Sequence, residues 1–423
     1  MASKNHCARV WRTALLALAL GVACRASGAG ASAADVPGLF LRNATDLVAA
    51  RARLASGDKS LSPALNALRA EAEPLLSLRP ASVMDKSLTA ASGDKHDYFN
   101  FGPYWWPDPA KPNGLPYIRR DGETNPASKV GTDEVAFNKL CENVETLGLA
   151  YWFTHDERFA QKSAALVRVW FLDPGTRMNP NLQHAQAIPG ITDGRGIGLI
   201  ESRRLAYLNE GLALLSGSPA WTAADRAALK SWLAEFYGWL TTSANGHDEH
   251  AAENNHGTWY DFQSAHLALV LGRTADAKKI LTAGLTLRVA REIDPDGSQP
   301  LELARTKSLD YSLMNLDGLL GCAQLARHVG VDWWSFATSD GRGLRVALAY
   351  LAPFVDPAKP WPKEDLHAAD RSRLIAQFDQ YLRHRDDAML RTLCEKFCAT
   401  SGADARWRLL SDRPLAANLA LKI

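Results

Sequence analysis

After its N-terminal region, the sequence has no apolar run of the roughly 18 to 20 residues that a membrane-spanning helix needs. It also lacks a charge excess, with 48 Lys and Arg residues against 46 Asp and Glu residues. This balance gives no support for nucleic-acid binding, and an anionic ligand would need a locally basic groove. No fixed sequence period is visible, so the sequence gives no sign of an internal repeat.

Cysteine is scarce as well, with four residues after the N-terminal region: Cys141, Cys322, Cys394 and Cys398. Four cysteines in a chain of this size do not make a disulfide scaffold. A spacing of four places the last two on neighbouring turns of one helix, which is an awkward geometry for a bond between them. No Cys or His spacing matches a zinc motif, and the histidine-rich segment 247–256 follows no metal-binding pattern, so we predict no metal site.

The N-terminus has the features of a secretory signal peptide. Three basic residues precede an apolar run at residues 13–23, and small residues then lead to an A-x-A site before Asp35. We therefore predict a signal peptide at residues 1–34 and a periplasmic or secreted protein. Cys24 raises the alternative of a lipid anchor, but Gly21 stands where a lipobox normally carries Leu, which favours the free form.

Helical periodicity dominates the remainder. Between residues 137 and 151 the apolar residues recur every three or four positions, as in a helix with one buried stripe, and residues 156–171 repeat the pattern. Further helices are predicted at about 199–216, 222–242, 258–271, 274–292, 308–329, 342–354, 364–384 and 388–398. Convincing alternating strands are absent, so we predict an all-α fold of antiparallel helical hairpins stacked around a common core.

Two long segments, 92–126 and 173–198, interrupt the helices. Loops this long within a compact helical domain are more often functional than idle, so we expect them to form the walls of a cleft. Stacking surfaces and charges for a sugar are present in the first: Lys95, His96, Tyr98, Tyr104, Trp105 and Trp106. Equally, the aromatic side chains could simply pin the loop to the helical body.

Two further segments carry the residue types for proton abstraction beside a carboxylate. An amide and a guanidinium, as in Asn255 and Arg305, can stabilise the developing charge, and His256 and Tyr311 can move protons. The alternative for the amide is a helix cap by Asn254 or Asn255. Arg305 and Tyr311 would lie some 120° apart on an ideal helix, so they can converge only if Arg305 precedes the regular helix.

Five motifs in this order resemble the alginate lyase family, the polyuronate lyases related to polysaccharide lyase family five. In chain order they are the loop 94–109, the segment that holds the stretches 178–182 and 188–196, Asn254-Asn255-His256, the stretch 301–311, and Lys359-Pro360-Trp361-Pro362. The resemblance implies one incomplete (α/α) toroid domain at residues 35–423. It also implies cleavage of a 4-linked uronate, alginate or polymannuronate first, by β-elimination without a cofactor.

The resemblance also implies site roles. Asn255 and Arg305 would neutralise the uronate carboxylate. Where the C5 hydrogen and O4 lie on the same side, as in mannuronate or glucuronate, Tyr311 would act as base and acid. Where they are opposed, as in guluronate, His256 would be the base and Tyr311 the acid. Lys95, His96 and Arg195 are weaker candidates for substrate contacts.

Two other functions remain open at this point. The acids Asp94, Asp97, Asp193 and Glu201 could serve a glycoside hydrolase on a similar toroid, given a suitable separation. A non-catalytic protein that binds a polyuronate is the second alternative. The products distinguish them, because hydrolysis generates no unsaturated sugar and a binder generates no product.

Overall fold

The computed structural model describes residues 38–398 and 406–410. The predicted signal peptide, including Cys24, and the side chain of Cys398 lie outside this description. Cys141 and Cys322 are buried thiols. Within the described residues, no helix has the length and apolar character to cross a bilayer.

Helices form most of the described chain, as predicted. The α-helices are α1 Ala44–Ala55, α2 Ser62–Ala72, α3 Glu134–Thr154, α4 Glu157–Val167, α5 Leu205–Ala213, α6 Ala223–Thr242, α7 Ala244–Ala251, α8 Asn255–Val270, α9 Thr274–Gly284, α10 Ala290–Glu292, α11 Pro300–Leu303, α12 Ser308–Ala326, α13 Leu344–Leu351, α14 Arg373–Leu382 and α15 Ala388–Cys398. Neighbouring helices pack as hairpins, with α3 against α4 and α5, and α8 against α9 and α12. The fold is an incomplete (α/α) toroid.

Four short strands form one pair between the two long loops and one pair within the first loop. They are β1 Phe99–Phe101, β2 Trp105–Trp106, β3 Ile118–Arg119 and β4 His184–Ala187. β1 pairs in parallel with β4, and β2 pairs antiparallel with β3. The first pair joins the two predicted cleft walls, and the second holds the aromatic segment of the first wall as a hairpin.

The inner helices α8 and α12 fix the geometry of the site. Both are buried on nearly every side, which is typical of helices in the centre of a large domain. Gly318 and Gly321 of α12 face α8: a β-carbon there would lie 2.8 Å from Thr258 Cγ2 and 2.7 Å from the Phe262 ring. Because only hydrogen fits at these positions, the two helices approach closely, with the first turn of α8 beside the middle of α12.

Some predicted boundaries are wrong. Residues 364–372, predicted as the start of a helix, are irregular, and α14 begins at Arg373. Here the backbone bonds across to the start of α12, with Leu366 N donating to Thr306 O at 2.8 Å, and this pairing competes with a helix. Residues 196–204 form a 3₁₀ helix, so the α-helix predicted from 199 begins at Leu205. Helices α1, α2, α7 and α11 and the four strands were not predicted.

Candidate active site

The catalytic candidates lie at the first turns of α8 and α12. Asn254 is the N-cap of α8, and its side chain accepts a hydrogen bond from His256 N at 3.2 Å. Of the two possible caps, the structure therefore selects Asn254 and leaves Asn255 and His256 on the first turn. Arg305 precedes α12, which begins at Ser308, so the geometric condition for its convergence with Tyr311 is met.

Tyr311 is the centre of a hydrogen-bonded cluster. Arg305 Nη2 donates to Tyr311 Oη at 2.7 Å, and the guanidinium lies 3.8 Å from the centre of the tyrosine ring. Tyr311 Oη donates to Tyr104 Oη at 2.8 Å. Burial, followed by the neighbouring Tyr104, raises the pKa of Tyr311, so the phenol is neutral in the resting protein and has a proton to donate.

Asp121 holds Arg305 in place. The carboxylate accepts from Arg305 Nε at 3.0 Å and Nη2 at 2.8 Å, and it also pairs with Arg119 at 2.7 Å. Burial opposes ionisation, but the hydrogen bonds and charge of Arg305 outweigh it and lower the pKa of Asp121 to about 2. Gly122, with φ +75°, makes the turn that brings Asp121 there. The charge of Arg305 is thus already compensated.

His256 is paired with a buried carboxylate. Its Nδ1 lies 2.9 Å from Glu249 Oε1, and the Glu249 side chain is 0% exposed whereas that of His256 is 15% exposed. A carboxylate only accepts hydrogen bonds, so Nδ1 carries the proton. In the neutral imidazole, Nε2 then has a free electron pair for use as a base.

Asn255 is turned away from the cleft. Its side chain is buried, and its amide nitrogen donates to both oxygens of Glu302, at 3.0 and 2.8 Å. The backbone nitrogen of Asn255 donates to the same carboxylate at 2.8 Å. In this position the amide hydrogens are used by Glu302 and do not face a substrate. These hydrogen bonds between Asn255 and Glu302 join the start of α8 to α11, and therefore to the turn that carries Arg305.

Arg195 is a cation without a carboxylate. It is half-buried, and its Nη2 donates to Gln186 Oε1 at 2.8 Å while its buried Nε makes no hydrogen bond. Among the described residues no carboxylate forms an ion pair with it, although Glu249 contributes to its electrostatic field. Burial, followed by the nearby charge of Arg119, lowers the pKa of Arg195 to about 10.

The aromatic residues of the first loop divide into cleft and core. Arg195 lies 5.8 Å from the Trp105 ring, and Lys307 lies 5.8 Å from the ring of Tyr104, so both rings belong to the cluster. Trp106 is half-exposed, with Arg120 over its ring at 5.0 Å. The prediction for Tyr98 is wrong: its side chain is 0% exposed and packs edge-on against Phe137, so it is a core residue.

Lys95 and His96 anchor the loop. The Lys95 ammonium donates to Met84 O at 3.2 Å, and His96 Nδ1 lies 2.6 Å from Arg177 O. Both partners are backbone carbonyls of the loops and their flanks, and no contact links either side chain to Tyr311 or His256. The structure therefore explains these two residues as loop supports rather than as members of the cluster.

Six residues of the site were missed: Asp121, Glu249, Glu302, Gln186, Arg119 and Lys307. Glu249 lies seven residues before His256, but the sequence does not show that the two side chains meet. The contact forms only because α7 and α8 fold back on each other. Asp121 is 184 residues from Arg305 along the chain. The available signal was its place in the irregular segment 121–126, at the end of the first predicted cleft wall.

A buried polar layer lies beneath both first turns. Thr258 Oγ1 and Asn315 Nδ2 donate to Glu292 Oε2, at 2.6 and 3.0 Å. Burial raises the pKa of Glu292 to about 8 despite these hydrogen bonds. Because Thr258 belongs to α8 and Asn315 to α12, this carboxyl joins the two helices just below the site.

A cavity among the described residues lies away from these candidates. It has a volume of about 730 Å³ and is lined by the far halves of α8 and α12 with α1 and α14. Within it, Arg383 bridges Asp46 and Asp379 at 2.5 and 2.6 Å. None of the catalytic candidates lines it, so the chemistry is assigned to the cleft.

Known proteins share both the sequence pattern and the fold. A model of the alginate lyase family matches residues 82–361. The crystal structure of an alginate lyase from Bacteroides ovatus is 36% identical with a TM-score of 0.84, over 88% of this chain and 98% of that chain. Alginate lyase A1-III of Sphingomonas species A1, complexed with a tetrasaccharide, shares the fold at 19% identity and a TM-score of 0.53, over 82% and 88% of the two chains. No curated protein matches the chain.

The toroid and these similarities define the class of the protein as a polysaccharide lyase. The chain belongs to the alginate lyase family. The resemblance inferred from five short motifs is thereby confirmed.

Proposed function

We propose that the protein cleaves alginate by β-elimination in the cleft between the two long loops. The observation that carries the proposal is the cluster at the first turns of α8 and α12, where the charges of His256 and Arg305 both act on Glu302. There a neutral tyrosine is hydrogen-bonded to Arg305, and a histidine has its Nε2 on the side of the ring away from its carboxylate partner. An acid and a base of this kind are the groups that an elimination requires.

Tyr311 is the proton donor to the leaving O4. Its neutral resting state supplies the proton, and the bond from Arg305 Nη2 stabilises the oxygen as that proton departs. When the C5 hydrogen lies on the same side as O4, the same oxygen serves as the base once it is ionised. Tyr104, which accepts the hydrogen bond of Tyr311, can relay that first proton by releasing its own hydroxyl proton to water.

Arg195 receives the uronate carboxylate. Desolvating a cation without a carboxylate partner is costly, and a substrate carboxylate would supply the missing charge. Arg305 was the expected partner, but its guanidinium is occupied by Asp121, and Asn255 is occupied by Glu302. We therefore assign Arg305 and Asn255 to positioning Tyr311 and His256. The Trp105 ring, which lies beside Arg195, is the stacking surface for the sugar.

We further propose that residues 35–423 form a single exported domain after removal of residues 1–34. The support is the sequence pattern of the N-terminus and the continuous helical packing of the described residues. N-terminal sequencing of protein recovered from a periplasmic extract tests this. A first residue at or near Asp35 is expected, and an intact Met1 would contradict it.

The direct test is ultraviolet absorbance of the C4=C5 double bond after mixing the purified protein with alginate. A steady rise is expected, and polymannuronate, polyguluronate and glucuronan in parallel identify the preferred uronate. New reducing ends without absorbance would instead indicate a hydrolase. Saturable binding without either product would indicate a binding protein.

A further inference from the structure

Glu249 is placed as an orienting group rather than as a surface acid. It lies on α7, seven residues before His256, and its side chain is fully buried against the start of α8. One oxygen contacts His256 Nδ1 at 2.9 Å, and the other is buried without a hydrogen-bond partner. A buried carboxylate with half of its acceptor capacity unused is costly to maintain, which argues for a role beyond packing.

This contact has a defined chemical consequence. With Nδ1–H bonded to Glu249, the lone pair of the imidazole is confined to Nε2, on the side of the ring away from α7. A carboxylate behind an imidazole also stabilises the imidazolium that forms when Nε2 takes a proton. His256 is thus set as a base on one side, and Tyr311 remains the acid on the other.

We infer that Glu249 is a positioning residue that fixes His256 as the base for guluronate units, and that cleavage of mannuronate units does not depend on it. The inference rests on the proposed alginate lyase function. In guluronate the C5 hydrogen and O4 are on opposite sides of the ring, so two separate groups are needed. In mannuronate they share a side, and Tyr311 alone serves both steps.

The guluronate step balances without a co-reactant. His256 Nε2 takes the C5 proton, the released electron pair forms the C4=C5 bond, and the C4–O4 bond breaks. O4 takes the proton of Tyr311 Oη. The imidazolium and the tyrosinate left behind return to their resting states by net transfer of one proton from His256 to Tyr311 through water.

The hydrogen bonds of the site suit this route. Tyr311 has a hydroxyl proton to give, and the contact of His256 Nδ1 with Glu249 leaves Nε2 as the ring nitrogen that can take the C5 proton. The mannuronate route requires Tyr311 to lose its proton first. The two routes therefore share Tyr311 and Arg305 and differ in their need for His256 and Glu249.

The experiment compares Glu249→Gln with wild type on polyguluronate and polymannuronate. Gln keeps the shape of the side chain, but its amide can donate to Nδ1 and so permit the wrong tautomer. We expect kcat on polyguluronate to fall about 100-fold, with KM little changed, and kcat on polymannuronate to stay within about threefold. His256→Gln should show the same split. Glu253→Gln, which removes an exposed carboxylate near the same helix start, is the matched control and should change neither rate.

Each outcome decides the matter. An equal loss on both polymers, with an unchanged melting curve, would overturn the inference, because Glu249 would then serve a step common to both. Unchanged activity on both would overturn it as well. So would a wild type that cleaves polymannuronate but not polyguluronate. A wild type that cleaves neither polymer rejects the proposed function itself, and the inference falls with it.

Discussion

The two halves of the site are constructed in opposite ways. On the tyrosine side, Tyr311, Arg305, Asp121 and Tyr104 come from distant parts of the chain, and all but the buried Tyr311 are partly exposed. On the histidine side, His256 is supported by α7 and α11 through Glu249 and Glu302, which are buried carboxylates. The acid half is assembled by a loop that closes over a helix, whereas the base half is part of the helical core.

This difference has an energetic meaning. On the tyrosine side charges are neutralised in pairs near water, where each ion pair contributes modestly to the free energy of unfolding. On the histidine side the carboxylates are removed from water, so their hydrogen bonds must be complete or the cost is large. Changes to the tyrosine side should therefore alter turnover with little effect on folding, whereas changes to the buried carboxylates behind the histidine should also lower the free energy of unfolding.

The largest effect should come from Tyr311→Phe. Removal of the hydroxyl eliminates the acid on both routes, so kcat should fall by about 1,000-fold or more on every uronate that the wild type cleaves. Absorbance of the unsaturated product measures the loss. The midpoint of thermal unfolding should move little, because the ring and its contact with Arg305 remain. Turnover retained above a tenth of wild type would refute the assignment of the acid.

Glu302→Gln should act on stability first. Glu302 accepts three hydrogen bonds from Asn255, and a Gln amide would oppose the Asn255 amide across a buried contact. We expect a loss of about 2 to 3 kcal/mol in the free energy of unfolding, measured by urea titration. An exposed control such as Glu123→Gln should lose almost nothing. A loss of activity without a loss of stability would place Glu302 in the chemistry instead.

Arg195→Met tests recognition rather than chemistry. If Arg195 receives the uronate carboxylate, KM should rise about 30-fold while kcat stays within about fivefold, since a buried charge-assisted contact is lost. Arg120→Met, which removes a cation from the ring of Trp106 instead, is the control. A kcat that collapses while KM stays constant would show that the positive charge of Arg195 is needed in the transition state alone.

The sequence predicts the features that depend on neighbouring residues, and it does not predict those that depend on contacts between distant parts of the chain. Helical periodicity predicts the body of the fold, because each helix buries a stripe that is local in sequence. The convergence of Arg305 with Tyr311 also follows locally, from where α12 begins. Asp121 and Glu249 could not be predicted, because a carboxylate acquires its role only from the partner that the fold brings to it. Tyr98 shows the converse error, since the aromatic loop gives no local sign of which ring points inward.

The smallest effect on turnover should come from Glu292→Gln, in the layer that joins the two halves. Its folded-state pKa of about 8 is above the ordinary value of 4.5, so the protonated form is the one that the fold prefers. The stability associated with this group is complete below pH 4.5 and is lost as pH rises toward and through 8. Between pH 5 and 8 the wild type should lose about 2 to 4 kcal/mol more than the variant, which cannot ionise. Urea unfolding of both proteins across this range measures the difference, and parallel pH profiles would show that Glu292 titrates normally. If the activity per folded molecule is also unchanged, Glu292 stabilises the packing of α8 against α12 and takes no part in the reaction.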